Sequence, residues 1–137
     1  MVDPDRASAR LERLRDYLTR LEPVRASGED AYLADPDLRA MTERRLELAI
    51  QICIDLGTQL LMETSAKAPE NYADVFQKLA EANLLPGDLA DHLSEAARQR
   101  NVLVHLYLEI DDRKVFASLE SLDDLREFAK VVASQID

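Results

Sequence analysis

Residue types that build sheets and cross-linked scaffolds are scarce in this sequence. Among 137 residues there are three glycines, five prolines and one cysteine, aromatic side chains make up 5%, and tryptophan is absent. Leu, Ala, Glu and Arg are abundant instead, and these residues favour helices while leaving strands little to build on. The single cysteine, Cys53, cannot form an internal disulfide, as expected in a reducing compartment. We therefore predict an all-α protein.

Long hydrophobic runs are also missing. No apolar stretch reaches the length that a bilayer span needs, and the first five residues lack the basic start and apolar run of a secretion signal. We expect a soluble, cytoplasmic protein that does not associate with membranes. Because 137 residues can bury a proper core, we predict a single helical domain over residues 1–137.

Positive charge is in short supply. The chain has 17 Lys and Arg against 27 Asp and Glu, a formal net charge of -10. This balance argues against a protein that coats nucleic acid by bulk attraction, so any contact with RNA must be local. The charge is equally consistent with a protein partner that carries a basic face.

The spacing of apolar residues predicts an antiparallel bundle of four to five helices. They run from Pro4 to about Leu21, from Asp35-Pro36 to about Ser65, from Tyr72 to about Asn83 and from about Asp88 to Glu109, with a C-terminal helical region from Asp111 onwards. Asp35 followed by Pro36 is a helix cap with proline at the first helical position. Ser121 to Asp124 resembles a capping box, which predicts that the last region is kinked or split.

The second predicted helix should be the central one, because its apolar residues extend well around the helix. Gly57 lies in its interior and costs about 1 kcal/mol relative to alanine. Either another backbone approaches closely at Gly57, or the helix simply tolerates the cost.

The fourth predicted helix carries the chemistry. An arginine, Arg100, precedes a histidine, His105, and such a pair offers a fixed cation beside a group that exchanges protons near neutral pH. The face that carries them also holds other polar side chains, with two apolar residues between them; its members are Arg100, Asn101, Val104, His105, Tyr107 and Leu108. Such a mixed face does not suit solvent, so we predict that the same helix of a second subunit covers it in a two-fold homodimer.

Arg-x4-His with a polar residue after the arginine is the signature of the HEPN superfamily of α-helical ribonucleases, and the longer Arg-x4-His-x-Tyr resembles the HepT toxin branch. Arg100, Asn101, His105 and Tyr107 match this pattern, and the segment from Arg100 to Asp111, RNVLVHLYLEID, is very similar to that branch. The resemblance implies the toxin of a type VII toxin-antitoxin system: a homodimeric endoribonuclease that needs neither metal nor cofactor. It also implies a cognate MNT-type nucleotidyltransferase antitoxin, which transfers AMP from ATP to Tyr107.

In this chemistry, His105 acts as general base on a ribose 2′-hydroxyl or as general acid on the leaving 5′-oxygen. Arg100 stabilises the charged phosphate, and Asn101 orients His105 or contacts phosphate in support. AMP on Tyr107 would block the site by its bulk and charge. The expected substrate is a tRNA or an mRNA. The sequence contains no recognisable base-reading module that would specify which RNA is cut.

Each residue of the motif also has a structural interpretation. His105 could be a histidine capped by Asn101 in a dimer interface, Arg100 could pair with Glu109, and Tyr107 could be an interface anchor. At the level of the whole protein, the alternative is a non-catalytic helical dimer that serves as binding partner or scaffold for a nucleotidyltransferase.

The other residues with reactive or charged side chains have interpretations that do not involve catalysis. His92 suits the surface, Cys53 suits the core, and the two histidines have no thiolate partners, so we predict no metal site. Four arginines on one flank of the first helix could guide an RNA backbone or form a solvated face paired with acidic neighbours; they are Arg6, Arg10, Arg13 and Arg20.

Overall fold

The structure, a computed structural model, describes residues 4–64, 67–105 and 110–136, without the side chains of residues 102–105. These residues contain seven α-helices, one short 3-10 helix and no strand. The α-helices are α1 (Pro4–Ser27), α2 (Glu29–Ala34), α3 (Pro36–Met62), α4 (Asp74–Glu81), α5 (Gly87–His105), α6 (Asp112–Ala117) and α7 (Leu122–Ile136), and the 3-10 helix is Ser118–Ser121. The all-α prediction is confirmed.

Five of these helices have eight residues or more and correspond to the predicted bundle: α1, α3, α4, α5 and α7. The 27-residue α3 packs against α1, α4, α5 and α7, so its predicted central place is confirmed. None of the helices in the described part of the chain combines the length and apolarity of a membrane span.

Local capping sets the start of two helices, and the cap at Asp35 was predicted from the sequence. Asp35 accepts a hydrogen bond from the Leu38 backbone N–H at 3.1 Å and Pro36 occupies the first position of α3. Asp111 likewise accepts from the Arg113 N–H at 3.0 Å at the start of α6. The C-terminal helical region is split by the 3-10 turn that precedes α7, as predicted. The predicted capping box does not form, because the Ser121 hydroxyl has no hydrogen-bond partner.

The predicted end of the first helix near Leu21 was wrong. α1 continues through Pro23 to Ser27 and ends at Gly28, whose φ is 91°. Proline removes one backbone hydrogen bond, but the turn that follows buries Val24 on the apolar stripe of α1. Arg25 also bonds to Asp123 near the start of α7 at 3.1 Å, so tertiary contacts offset the local cost.

Gly57 marks a close approach, although by side chains rather than by a backbone. A Cβ atom at this position would lie 2.8 Å from Val75 Cγ1 and 3.3 Å from Leu79 Cδ1, both on α4. The missing side chain therefore lets α4 dock onto the middle of α3, and α4 in turn packs against α5, which carries the motif.

Candidate functional site

The site begins on the buried stripe of α5. Leu93, Ala96 and Ala97 are buried, and Arg100 lies seven, four and three residues after them, on the same side of the helix. Arg100 therefore continues the buried stripe into a half-buried position. At Arg100, the face that the sequence assigned to a second subunit is therefore partly covered by the chain's own residues.

The guanidinium of Arg100 lies against an aromatic ring of the same chain. Its central carbon is 5.5 Å from the centroid of the Tyr72 ring, which is within the range of a cation–π contact. The Nη1 group donates a long hydrogen bond of 3.4 Å to Asn101 Oδ1, and the buried Nε–H has no acceptor. The Nη groups of Arg100 are thus the donors that suit an incoming anion such as phosphate, because the Nε–H is buried.

Tyr72 belongs to the turn before α4, and hydrogen bonds on both sides of it shape this turn. Asn71 Oδ1 accepts from the Asp74 backbone N–H at 2.9 Å, and Asp74 Oδ2 accepts from the Glu70 N–H at 3.0 Å. These two bonds close the turn that precedes α4. The predicted start of the third helix at Tyr72 was two residues early, because α4 begins at Asp74. No local pattern in the sequence connects Tyr72 with Arg100.

The structure brings Arg100 and Asn101 together but does not test the whole motif. His105 is the last residue of α5, and its side chain lies outside the described residues. All of Tyr107 also lies outside them, as do Leu108 and the side chain of Val104 on the predicted dimer face. The roles of these residues stay predictions.

Other residues considered from the sequence have structural surroundings. His92 is exposed, with Nδ1 3.1 Å from Asp124 Oδ1, and Cys53 is fully buried, which raises the pKa of its thiol. Arg20 pairs with Asp16 on the first helix at 3.0 Å, in line with a solvated face. No group of three or more potential metal ligands occurs among the side chains that the structure describes.

One polar cluster was not anticipated from the sequence. Burial, followed by the charge and hydrogen bond of Asp112, raises the pKa of Glu43 on α3. Arg39 Nε lies 3.4 Å from Asp112 Oδ2, and the buried hydroxyl of Tyr32 nearby has no hydrogen-bond partner. Glu43 and Asp112 are distant in sequence, so neither residue predicts the other.

The chain is thus a helical bundle around a central α3, with the half-buried Arg100 late in α5, and it agrees with the all-α fold that the motif resemblance implies. Residues 10–132 match the sequence model of the family described as Ribonuclease HepT-like. The chain belongs to this HepT-like ribonuclease family.

Comparison with individual proteins agrees with this assignment. The chain is 31% identical over 119 residues to the "tRNA nuclease HepT" of Aphanizomenon flos-aquae, covering 86% of this chain and 80% of that protein. It is 25% identical over 123 residues to the "mRNA nuclease HepT" of Shewanella oneidensis, covering 89% and 92%.

A solved structure has the same fold. It is described as a tri-AMPylated Shewanella oneidensis HEPN toxin in complex with MNT antitoxin, and it superposes with a TM-score of 0.85 at 24% identity. The superposition covers 98% of this chain and 99% of that one.

Proposed function

We propose that this protein is the toxin of a toxin-antitoxin pair and acts as a metal-independent endoribonuclease. The observation that carries the proposal is the state of Arg100, a half-buried cation whose Nε–H has no acceptor and whose neighbour is Asn101. Membership of the HepT-like ribonuclease family and the nuclease names of two relatives support the same reaction class.

In the proposed reaction, the ribose 2′-oxygen attacks the adjacent phosphorus while His105 removes its proton. The bond from phosphorus to the 5′-oxygen breaks, the leaving oxygen takes up a proton, and a 2′,3′-cyclic phosphate remains. Arg100 stabilises the charge that develops on the non-bridging oxygens, because its planar fork matches two phosphate oxygens. Asn101 supports this arrangement through the Arg100 Nη1 contact.

We propose that the active form is a homodimer of the single domain formed by residues 1–137. The motif face joins the two subunits, and the second His105 is then available for the complementary proton transfer. A chain of net charge -10 repels RNA over most of its surface, so a cleft that gathers two arginines provides the local attraction that binding needs.

Tyr107 is the proposed control point. A cognate MNT-type nucleotidyltransferase attaches AMP from ATP to its hydroxyl, adding bulk and negative charge two residues from His105. The support is the matching position in the motif and the solved complex of a tri-AMPylated HEPN toxin with an MNT antitoxin. Substrate RNA is excluded by both effects.

The test measures cleavage of total cellular RNA in EDTA by wild type and by His105→Ala. An intact-mass measurement first checks that Tyr107 is unmodified in both preparations. Loss of the proton-transfer group should slow cleavage by about 10²- to 10⁴-fold. Sedimentation equilibrium of both preparations checks that each is a dimer. The expected result is cleavage by wild type alone, with cyclic phosphate ends.

If unmodified wild type is as inert as His105→Ala, the ribonuclease proposal is contradicted. The non-catalytic dimer that binds a nucleotidyltransferase would then replace it. If cleavage by wild type stops in EDTA and returns with added metal, metal independence is wrong.

A further inference from the structure

We propose that Tyr72 is a positioning residue, which holds the Arg100 guanidinium by a cation–π contact in the orientation that receives the scissile phosphate. The inference rests on the proposed ribonuclease function. It assigns a role to a residue outside the Arg-x4-His-x-Tyr motif, in the turn before α4, whereas the motif begins on α5.

The contact restrains the cation without neutralising it. Arg100 forms no ion pair with a carboxylate of the described residues, and its 5.5 Å contact with the Tyr72 ring is made to a neutral group. A carboxylate in the same place would occupy the guanidinium fork and cancel the charge that phosphate requires. An aromatic ring covers one face of the plane and leaves the N–H groups at its edge available.

The turn before α4 holds Tyr72 in place. Hydrogen bonds among Glu70, Asn71 and Asp74 join residues on both sides of Tyr72 in the sequence. Asp74 Oδ2 also lies 3.9 Å from Lys78 Nζ. Tyr72 is nevertheless 48% exposed. One side of the ring therefore remains open toward solvent while another meets Arg100.

A buried hydrogen-bond link fixes the distance between the two partners. Ser94 on α5 is 1% exposed, and its hydroxyl donates to the carbonyl oxygen of Ala73, the residue next to Tyr72, at 2.9 Å. Gln77 on α4 donates to Ser94 Oγ at 3.1 Å and to Asp91 Oδ1 at 2.9 Å. The helix that carries Arg100 thus also holds the backbone beside Tyr72.

This arrangement matters because a free arginine samples many rotamers. Stacking on a fixed ring reduces them, so less freedom is lost when the transition state forms. The oriented guanidinium interacts most strongly with the transition state, in which the phosphate carries the most charge. Loss of Tyr72 should therefore lower kcat more than it changes KM.

The experiment replaces Tyr72 with Phe and with Phe carrying one, two or three ring fluorines, and measures kcat and KM on a cleavable RNA. Fluorine withdraws electron density from the ring face at nearly constant volume, so kcat should fall stepwise along the series. Tyr72→Leu should lower kcat about three- to ten-fold with little change in KM. Tyr17→Leu on α1 is the matched control and should leave both parameters unchanged.

A second readout does not depend on activity. In the wild type, the ring current of Tyr72 should displace the Nε–H nuclear magnetic resonance of Arg100, assigned by its loss in Arg100→Lys. The displacement should persist in Tyr72→Phe and disappear in Tyr72→Leu, while the circular dichroism spectrum stays helical. If Tyr72→Leu fails to fold, the fluorinated series alone decides.

The outcomes separate the two proposals. A flat kcat along the fluorinated series, beside an inactive Arg100→Ala, overturns the positioning role and leaves the ribonuclease intact. An unmodified wild type that cleaves no RNA, although the Arg100 resonance is displaced, overturns the proposed function and with it the catalytic purpose of the contact. A stepwise fall in kcat supports both.

Discussion

At the scale of single residues, two half-buried charged side chains, Arg100 and Glu43, have opposite surroundings. Arg100 is covered by the neutral ring of Tyr72 and keeps its charge for an anion. Glu43 lies instead beside the like-charged Asp112, and burial together with that charge raises its pKa. The first arrangement serves the proposed chemistry, whereas the second makes stability depend on pH.

The sign of that dependence follows from the raised pKa. The folded protein binds the Glu43 proton more tightly than the unfolded chain, so this residue stabilises the fold when it is protonated. Its contribution is lost as pH rises from the ordinary carboxyl pKa through the raised one. Glu43→Gln keeps the shape without the charge and should therefore increase the free energy of unfolding at neutral pH.

Urea unfolding of wild type and Glu43→Gln between pH 4 and pH 8 measures this effect. The difference between their free energies of unfolding isolates Glu43, because the two proteins share all the other carboxylates. The difference should grow with pH. Glu95→Gln, which alters an exposed pair with Arg98 on α5, is the control and should show no such growth. A constant difference for Glu43→Gln would contradict the prediction.

At the scale of elements, α4 links the core to the site. It docks on α3 through the space that Gly57 leaves, and the turn before it holds Tyr72 against α5. Gly57→Ala would place a methyl group 2.8 Å from Val75 Cγ1. Val75 is buried and β-branched, so it cannot move aside easily.

Gly57→Ala should therefore destabilise the protein by about 1 kcal/mol, since overpacking at roughly 1–3 kcal/mol exceeds the gain of about 1 kcal/mol in helix propensity. The sign should reverse in a Val75→Ala background, where the crowded methyl is gone. Chemical denaturation of the four proteins in this cycle measures the coupling. Equal effects in both backgrounds would show that Val75 is not what restricts Gly57.

At the scale of the whole molecule, the net charge of -10 makes RNA binding depend on a few cations. Under the proposed function, one AMP group near such a local site should therefore be enough to exclude RNA. We expect wild type incubated with its cognate nucleotidyltransferase and ATP to gain the mass of AMP and to lose cleavage after the partner is removed. Tyr107→Phe has no phenolic hydroxyl and should gain no AMP and stay active.

Tyr17→Phe is the control for this experiment and should be modified and silenced like wild type. Intact mass and RNA cleavage are read on the same samples. The prediction is contradicted if Tyr107→Phe gains the mass of AMP, or if it loses RNA cleavage as wild type does after the partner is removed. Either result would mean that a residue other than Tyr107 controls the activity.

The sequence alone determined the helical class, the Asp35 cap, the central place of α3 and the split before α7. These features depend on composition, on residues one or two turns apart and on apolar spacing. The motif that identifies the family is equally local. Tertiary structure alone decided three other features. These are the passage of α1 through Pro23, the pairing of Glu43 with Asp112, and the contact of Tyr72 with Arg100. Each depends on groups that are distant in the chain and meet only when the helices pack, so no local pattern predicts them.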